Sequence, residues 1–139
     1  MPISEAKISP LDRGFLFGDG IYEVIPSYQG KLLGFKAHID RMLDGLGGIG
    51  LKLDWSHSDW QDMCEKLAVE NGNGNLGIYL QVSRGADIKR YHAFPEAVSP
   101  TVFGYSNDKT RLKNTTKAAH EGLRIYLARS PNNKKKSGT

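Results

Sequence analysis

Arginine, aspartate, tyrosine and glycine crowd one short stretch of this chain, Asp12-Arg13-Gly14-Phe15-Leu16-Phe17-Gly18-Asp19-Gly20-Ile21-Tyr22-Glu23. Gly14, Gly18 and Gly20 free the backbone to turn tightly or to approach a ligand closely. Tyr22 stands at the start of the apolar run that follows, where a phenol can reach into a pocket. On these residues the stretch reads as a functional loop feeding a strand, or equally as a glycine-rich turn without a ligand.

Two further groups carry possible chemistry. His38 and Arg41 lie three apart in a helical pattern and so project from one side. An arginine near a helix start offers a planar fork for phosphate or carboxylate. Its only local acids are Asp40 and Asp44 at the edges of that side, and a solvated surface arginine is the alternative. The segment Arg84 to Pro95 gathers Arg84, Lys89, Arg90 and His92 on a glycine-bearing loop after a strand, where binding residues concentrate. A cation, an aromatic and an imidazole at Arg90, Tyr91 and His92 suit capture of a small anion such as a carboxylate; an exposed basic loop is the competing reading. Metal-ligand spacing is lacking, because His38, His57, His92 and His120 are scattered and Cys64 is alone. The sequence carries neither a phosphate-binding P-loop nor a dinucleotide fingerprint.

The elements that must position these groups are legible in outline. Ile21 to Tyr28 reads as a strand, Gln29-Gly30 as a turn and Lys31 to Phe35 as the return of a hairpin. Ile39, Met42, Leu43 and Leu46 follow helical spacing, and Gly45, Gly47 and Gly48 are expected to end that helix early or loosen its last turn. A second helix, capped by Ser56 or Ser58, shows the apolar stripe Trp60, Met63, Cys64 and Leu67 and ends at Asn71-Gly72. Cys64 lies within that stripe, so a buried, inert thiol is expected. Leu76 to Ser83 and Pro100 to Tyr105 read as strands, and Glu121 to Ala128 as the start of one more. The pattern predicts an α+β fold with a mostly antiparallel sheet and two helices.

The 139 residues suffice for one domain, or for a small domain and a tail. With 39% hydrophobic and 24% charged residues the composition is that of an ordinary globular protein. No segment approaches the apolar length of a membrane span, the N-terminus lacks the features of a signal peptide, and a single cysteine excludes an internal disulfide; the cytoplasm is the default location. The formal net charge of +4 belongs to residues 129–139, which hold Arg129 and Lys134 to Lys136 without an acid. The body is therefore neutral, a solvated, disordered basic tail is expected, and no nucleic-acid partner is.

Taken together, Asp12 to Glu23, His38-Ile39-Asp40-Arg41, Gln81 to Gly85 and Arg90 to Pro95 resemble, in order and spacing, the class IV (fold-type IV) pyridoxal-phosphate enzymes, over roughly Lys7 to Ala128. That group includes D-amino acid aminotransferases, branched-chain aminotransferases and aminodeoxychorismate lyase. The resemblance implies that Arg41 holds the phosphate of pyridoxal 5'-phosphate and that Tyr22 stands at the substrate pocket. It implies that Arg90 and His92 bind the substrate α-carboxylate across a homodimer interface, a pair that favours the D-amino acid subgroup. Substrates would be a small amino acid and a 2-oxo acid. It further implies an N-terminal domain over 1–121 whose opening strand is missing, the start of a second domain at 122–128, and a tail at 129–139. The C-terminal domain would be missing, and with it the Schiff-base lysine, which nothing around Lys134 to Lys136 resembles. The chain alone would then be catalytically incomplete; a branched-chain or lyase fragment and a non-catalytic binding or regulatory module are the alternatives.

Overall fold

The structure, a computed structural model, describes residues 1–108 and 125–129. After a single 3-10 turn at Ile3–Glu5 come the helix α1 (Arg13–Phe17), the strands β1 (Gly20–Tyr28) and β2 (Lys31–Leu32), the helices α2 (Phe35–Gly48) and α3 (His57–Glu70), and the strands β3 (Asn75–Ser83), β4 (Thr101–Asp108) and β5 (Ile125–Arg129). The strands form one five-stranded sheet in the order β2-β1-β3-β4-β5, with every pairing antiparallel. The expected α+β architecture is thus present. The expected strand at Glu121 to Ala128 is seen from Ile125 onward; its first residues, the 121/122 domain boundary and all of the tail beyond Arg129 lie outside the described residues.

The helices α2 and α3 cover one face of the sheet. Ile25 of β1, Ile78, Leu80 and Val82 of β3 and Val102 of β4 alternate with residues of the opposite face, as the pleat demands, and are fully buried. They meet Ile39, Met42 and Leu46 of α2 and Trp60, Met63, Cys64 and Leu67 of α3, so both helical stripes read from the sequence are core. Ser56 is the cap of α3, in a reciprocal capping box with Asp59. Burial pushes the Cys64 thiol up to about 12, as its place in the stripe anticipated.

The hairpin forms with Gln29 and Gly30 both in the left-handed region, at φ 48° and 80°, a turn whose twist matches that of its strands. Its return strand is shorter than expected, because Gly34 turns left-handed and Phe35 already begins α2. That helix also outruns the sequence reading. It continues through Gly45 to Gly48, because Ile21 of β1 packs against the bare backbone at Gly45, where an added Cβ would lie 3.3 Å from it. Tertiary contact here outweighs the low helix propensity of glycine.

Candidate functional site

The stretch read as a glycine-rich loop begins with a helix. In α1 the Asp12 carboxylate accepts a hydrogen bond from the Gly14 N–H, and Gly18 closes the last turn in the left-handed conformation. Asp12 also accepts from Ser83 Oγ and Thr101 Oγ1, both at 2.7 Å, tying α1 to the ends of β3 and β4. Gly14 is needed for that approach, since a Cβ there would lie 2.7 Å from Ser83 Cβ.

The turn after α1 is held by an ion triad. Arg84 donates to Asp19 from Nε at 2.7 Å and from Nη2 at 3.1 Å, and Arg13 donates from Nε at 2.8 Å. Burial alone would raise the Asp19 carboxyl; the hydrogen bonds and charges of Arg84 and Arg13 outweigh it and hold the group below the usual range. Arg84 also donates to the Ile49 carbonyl at 2.7 Å and lies over the Phe94 ring at 4.0 Å. It is buried, and so belongs to the scaffold, not to the exposed basic loop where the sequence reading placed it. Arg13 turns its remaining donors to the carbonyls of Tyr91, His92 and Ala93. The loop thereby held is the one that carries Arg90 and His92. Both are exposed, and both rest on Phe17, at 5.0 Å from its ring centroid.

Arg41 has a partner that helix spacing could not show. Glu23, only 5% exposed, accepts from Arg41 Nε at 2.5 Å and from Nη2 at 2.7 Å, while His38 Nδ1 donates to the same carboxylate at 2.7 Å. Asp40, one of the acids expected beside Arg41, instead pairs with Lys36 and His57. The Arg41 hydrogen bonds hold Glu23 below the usual glutamate range, against its burial and with help from His38. Glu23 in turn raises Arg41. Among the described residues only one edge of the guanidinium is engaged. The side chain is 70% exposed, so its Nη1 edge remains open to a phosphate or carboxylate.

Tyr22 and Glu23 are neighbours in β1 and therefore point to opposite faces of the sheet. Tyr22, 64% exposed, stacks on Tyr79 at 5.6 Å on the face without helices, where Tyr105 and Phe103 continue the row. Burial, with Tyr105 and Tyr22 beside it, pushes the Tyr79 phenol up. A cleft of about 540 Å³ opens on this face between the N-terminal segment and the strands, lined by Ile8, Pro10, Phe15, Gln81, Ser83 and Phe103 among others. None of Tyr22, Arg41, Arg90 and His92 lines it.

Of the four residues expected to bind, the structure places Arg90 and His92 each against the Phe17 ring. Arg41 keeps Glu23 and His38, and Tyr22 keeps Tyr79. The residues that support them, Arg13, Asp19 and Glu23, stand in the motif that was quoted, but as parts of a loop and a strand. Apart from the Arg13–Asp19 pair, their partners lie 15 to 80 positions away, beyond the reach of local spacing.

A five-stranded antiparallel sheet with two helices on one face, entered through a capped Arg-Gly turn, is the N-terminal fold of the class IV aminotransferases, and the chain belongs to that family. The profile of the amino-transferase class IV family matches residues 20–138. A D-alanine aminotransferase of Staphylococcus epidermidis is 41% identical over 108 residues, which are 77% of this chain and 38% of that enzyme. The chain thus spans well under half the length of this relative. The branched-chain amino acid aminotransferase of Escherichia coli matches in structure with a TM-score of 0.69 at 16% identity, over 76% of this chain and 36% of that one. A hypothetical aminotransferase from Mycobacterium tuberculosis, in its PLP-bound form, matches at 0.63 and 16% identity, over 77% and 36%. At these identities the structural likeness concerns the fold.

Proposed function

We propose that this chain forms one wall of the active site of a pyridoxal-phosphate-dependent aminotransferase that acts on small D-amino acids. The observation that carries the reading is the pair Arg90 and His92, two exposed donors resting on one aromatic ring of a pinned loop. That arrangement suits a carboxylate, which takes two hydrogen bonds from a guanidinium and a neighbouring imidazole. Its sequence relatives include D-alanine aminotransferases, in keeping with a small side chain.

The residues present fit the cofactor. Arg41 offers an open guanidinium edge for a phosphate, and Glu23 fixes the plane in which that edge lies. Pyridoxal phosphate, when bound, supplies the electron sink that makes loss of an amino acid's α-proton feasible. The chain's own residues orient: Arg90 and His92 hold the carboxylate, Tyr22 borders the pocket, and Arg41 anchors the phosphate. Within one chain Arg41, Tyr22 and the Arg90–His92 loop keep separate partners among the described residues. This supports a homodimer in which the loop of one protomer serves the site of the other. The described lysines, Lys7, Lys31, Lys36, Lys52, Lys66 and Lys89, are all exposed, and none sits in the desolvated setting that covalent amine chemistry needs.

The test is a titration of the labelled chain with pyruvate, followed by NMR. Selective shifts at Arg90 and His92 are expected; shifts confined to other surfaces overturn the assignment. In a separate assay the 139-residue chain with pyridoxal phosphate, D-alanine and 2-oxoglutarate is expected to release no pyruvate, and sustained turnover would refute that expectation.

A further inference from the structure

The carboxylate loop is held by side chains: Arg84 lies over the Phe94 ring at 4.0 Å, and Arg13 takes the backbone. Among the described residues no backbone–backbone hydrogen bond engages residues 88–99, which run between β3 and β4 without helix or strand. Yet three successive carbonyls, those of Tyr91, His92 and Ala93, converge on one buried guanidinium at 2.6, 3.2 and 3.3 Å. That guanidinium is itself fixed by Asp19, which takes the Nε–H and leaves the two terminal nitrogens for the loop. Phe17 stands one helical turn further along α1, on the same side as Arg13, and its ring carries Arg90 and His92.

We propose that Arg13 is the positioning residue of this loop: held by Asp19, it curls the chain around its guanidinium and sets Arg90 and His92 each against the Phe17 ring. The role of Arg90 and His92 rests on the carboxylate reading above; the hold of Arg13 on the loop does not. Lysine cannot replace it. An ammonium is a point donor, whereas this task needs a planar fork reaching one carboxylate and three carbonyls at once. Arg13 touches no substrate in this scheme. It acts by fixing where two other side chains stand, and so governs affinity for the carboxylate.

The experiment compares the wild-type chain with Arg13→Lys. Trypsin cleaves after Lys89 and Arg90, so its rate reports how often the loop opens. The ring protons of His92 report the ring current of Phe17, and amide exchange at Leu80 reports the sheet. In Arg13→Lys, cleavage at the loop should accelerate about tenfold, as expected for loss of charge-assisted hydrogen bonds. The His92 signals should move to the positions of a free imidazole, the pyruvate response there should weaken about tenfold, and Leu80 should stay protected. Unchanged cleavage and unchanged His92 signals overturn the proposal, and so does an equal loss of protection at Leu80. A loop that loosens in Arg13→Lys while wild-type His92 ignores pyruvate supports the hold and sinks the carboxylate reading. Should the variant not fold, the wild type decides: slowly exchanging Arg13 N–H protons with Overhauser contacts to residues 91–93 support the proposal, and rapid exchange without them overturns it.

Discussion

Glu23 shows what one buried carboxylate does here. It holds the side-on edge of Arg41 and the Nδ1–H of His38, and those hydrogen bonds favour its ionised form in the folded chain. Because its folded pKa lies below the unfolded value of about 4.3, its stabilisation is complete above that value and is lost as pH falls through the folded one. Urea midpoints measured from pH 7 downward should therefore decline in wild type, and less steeply in Glu23→Gln; matching slopes would exclude this role for Glu23. At pH 7 the substitution should cost about 1–2 kcal/mol, since one partner is largely solvated. Cys64 makes a simpler case. With its thiol pushed up to about 12 and no exposure, it should resist iodoacetamide at neutral pH until the chain is unfolded, and labelling of the native protein would contradict its burial. The sequence showed Cys64 correctly because its stripe is local. It showed no partner for Arg41 because Glu23 lies 18 positions away on a strand.

Among the α-helices, α1 is the one not legible in the sequence. A five-residue helix containing glycine has almost no intrinsic tendency to form. It exists because Asp12 caps it, Gly18 closes it and Gly14 lets it lie against Ser83. Gly14→Ala should push α1 off β3 and cost about 1–3 kcal/mol of unfolding free energy; an unchanged urea midpoint would show that the contact yields freely. The helix α3 behaves in the opposite way, with its Ser56-x-x-Asp59 box and apolar period both written locally. There Ser56→Ala should cost about 1 kcal/mol, readable in the same denaturation experiment.

At the scale of the whole molecule, Asp19 joins parts that are distant in sequence. Through Arg84 it reaches the end of α2 at Ile49, and through Arg13 it reaches the loop at 91–93. Asp19→Asn would leave two buried guanidinium groups without their carboxylate, a loss of about 3–5 kcal/mol. The expected result is a chain unfolded at much lower urea, with the 90–95 loop opening first; a loss within about 1 kcal/mol of wild type would show that the carbonyls alone neutralise the pair. The sheet also gives the molecule two unlike faces. Its helix-covered face carries the core and, through Glu23, holds Arg41, while its open face presents Tyr22 on a row of aromatics. Among the described residues no helix is long and apolar enough to cross a membrane.

The sequence by itself determined what depends on short-range periodicity and residue type. The hairpin, the two long helices, the buried thiol, the antiparallel α+β class and the four motifs that mark the family are all of this kind. The tertiary structure alone decided which charges meet. Glu23 with Arg41, Asp19 with Arg13 and Arg84, and Arg13 with the carbonyls at 91–93 join positions 6 to 80 apart. The reason is physical: a guanidinium reads a carboxylate through a few ångströms of space, and only the folded sheet brings those positions within that distance.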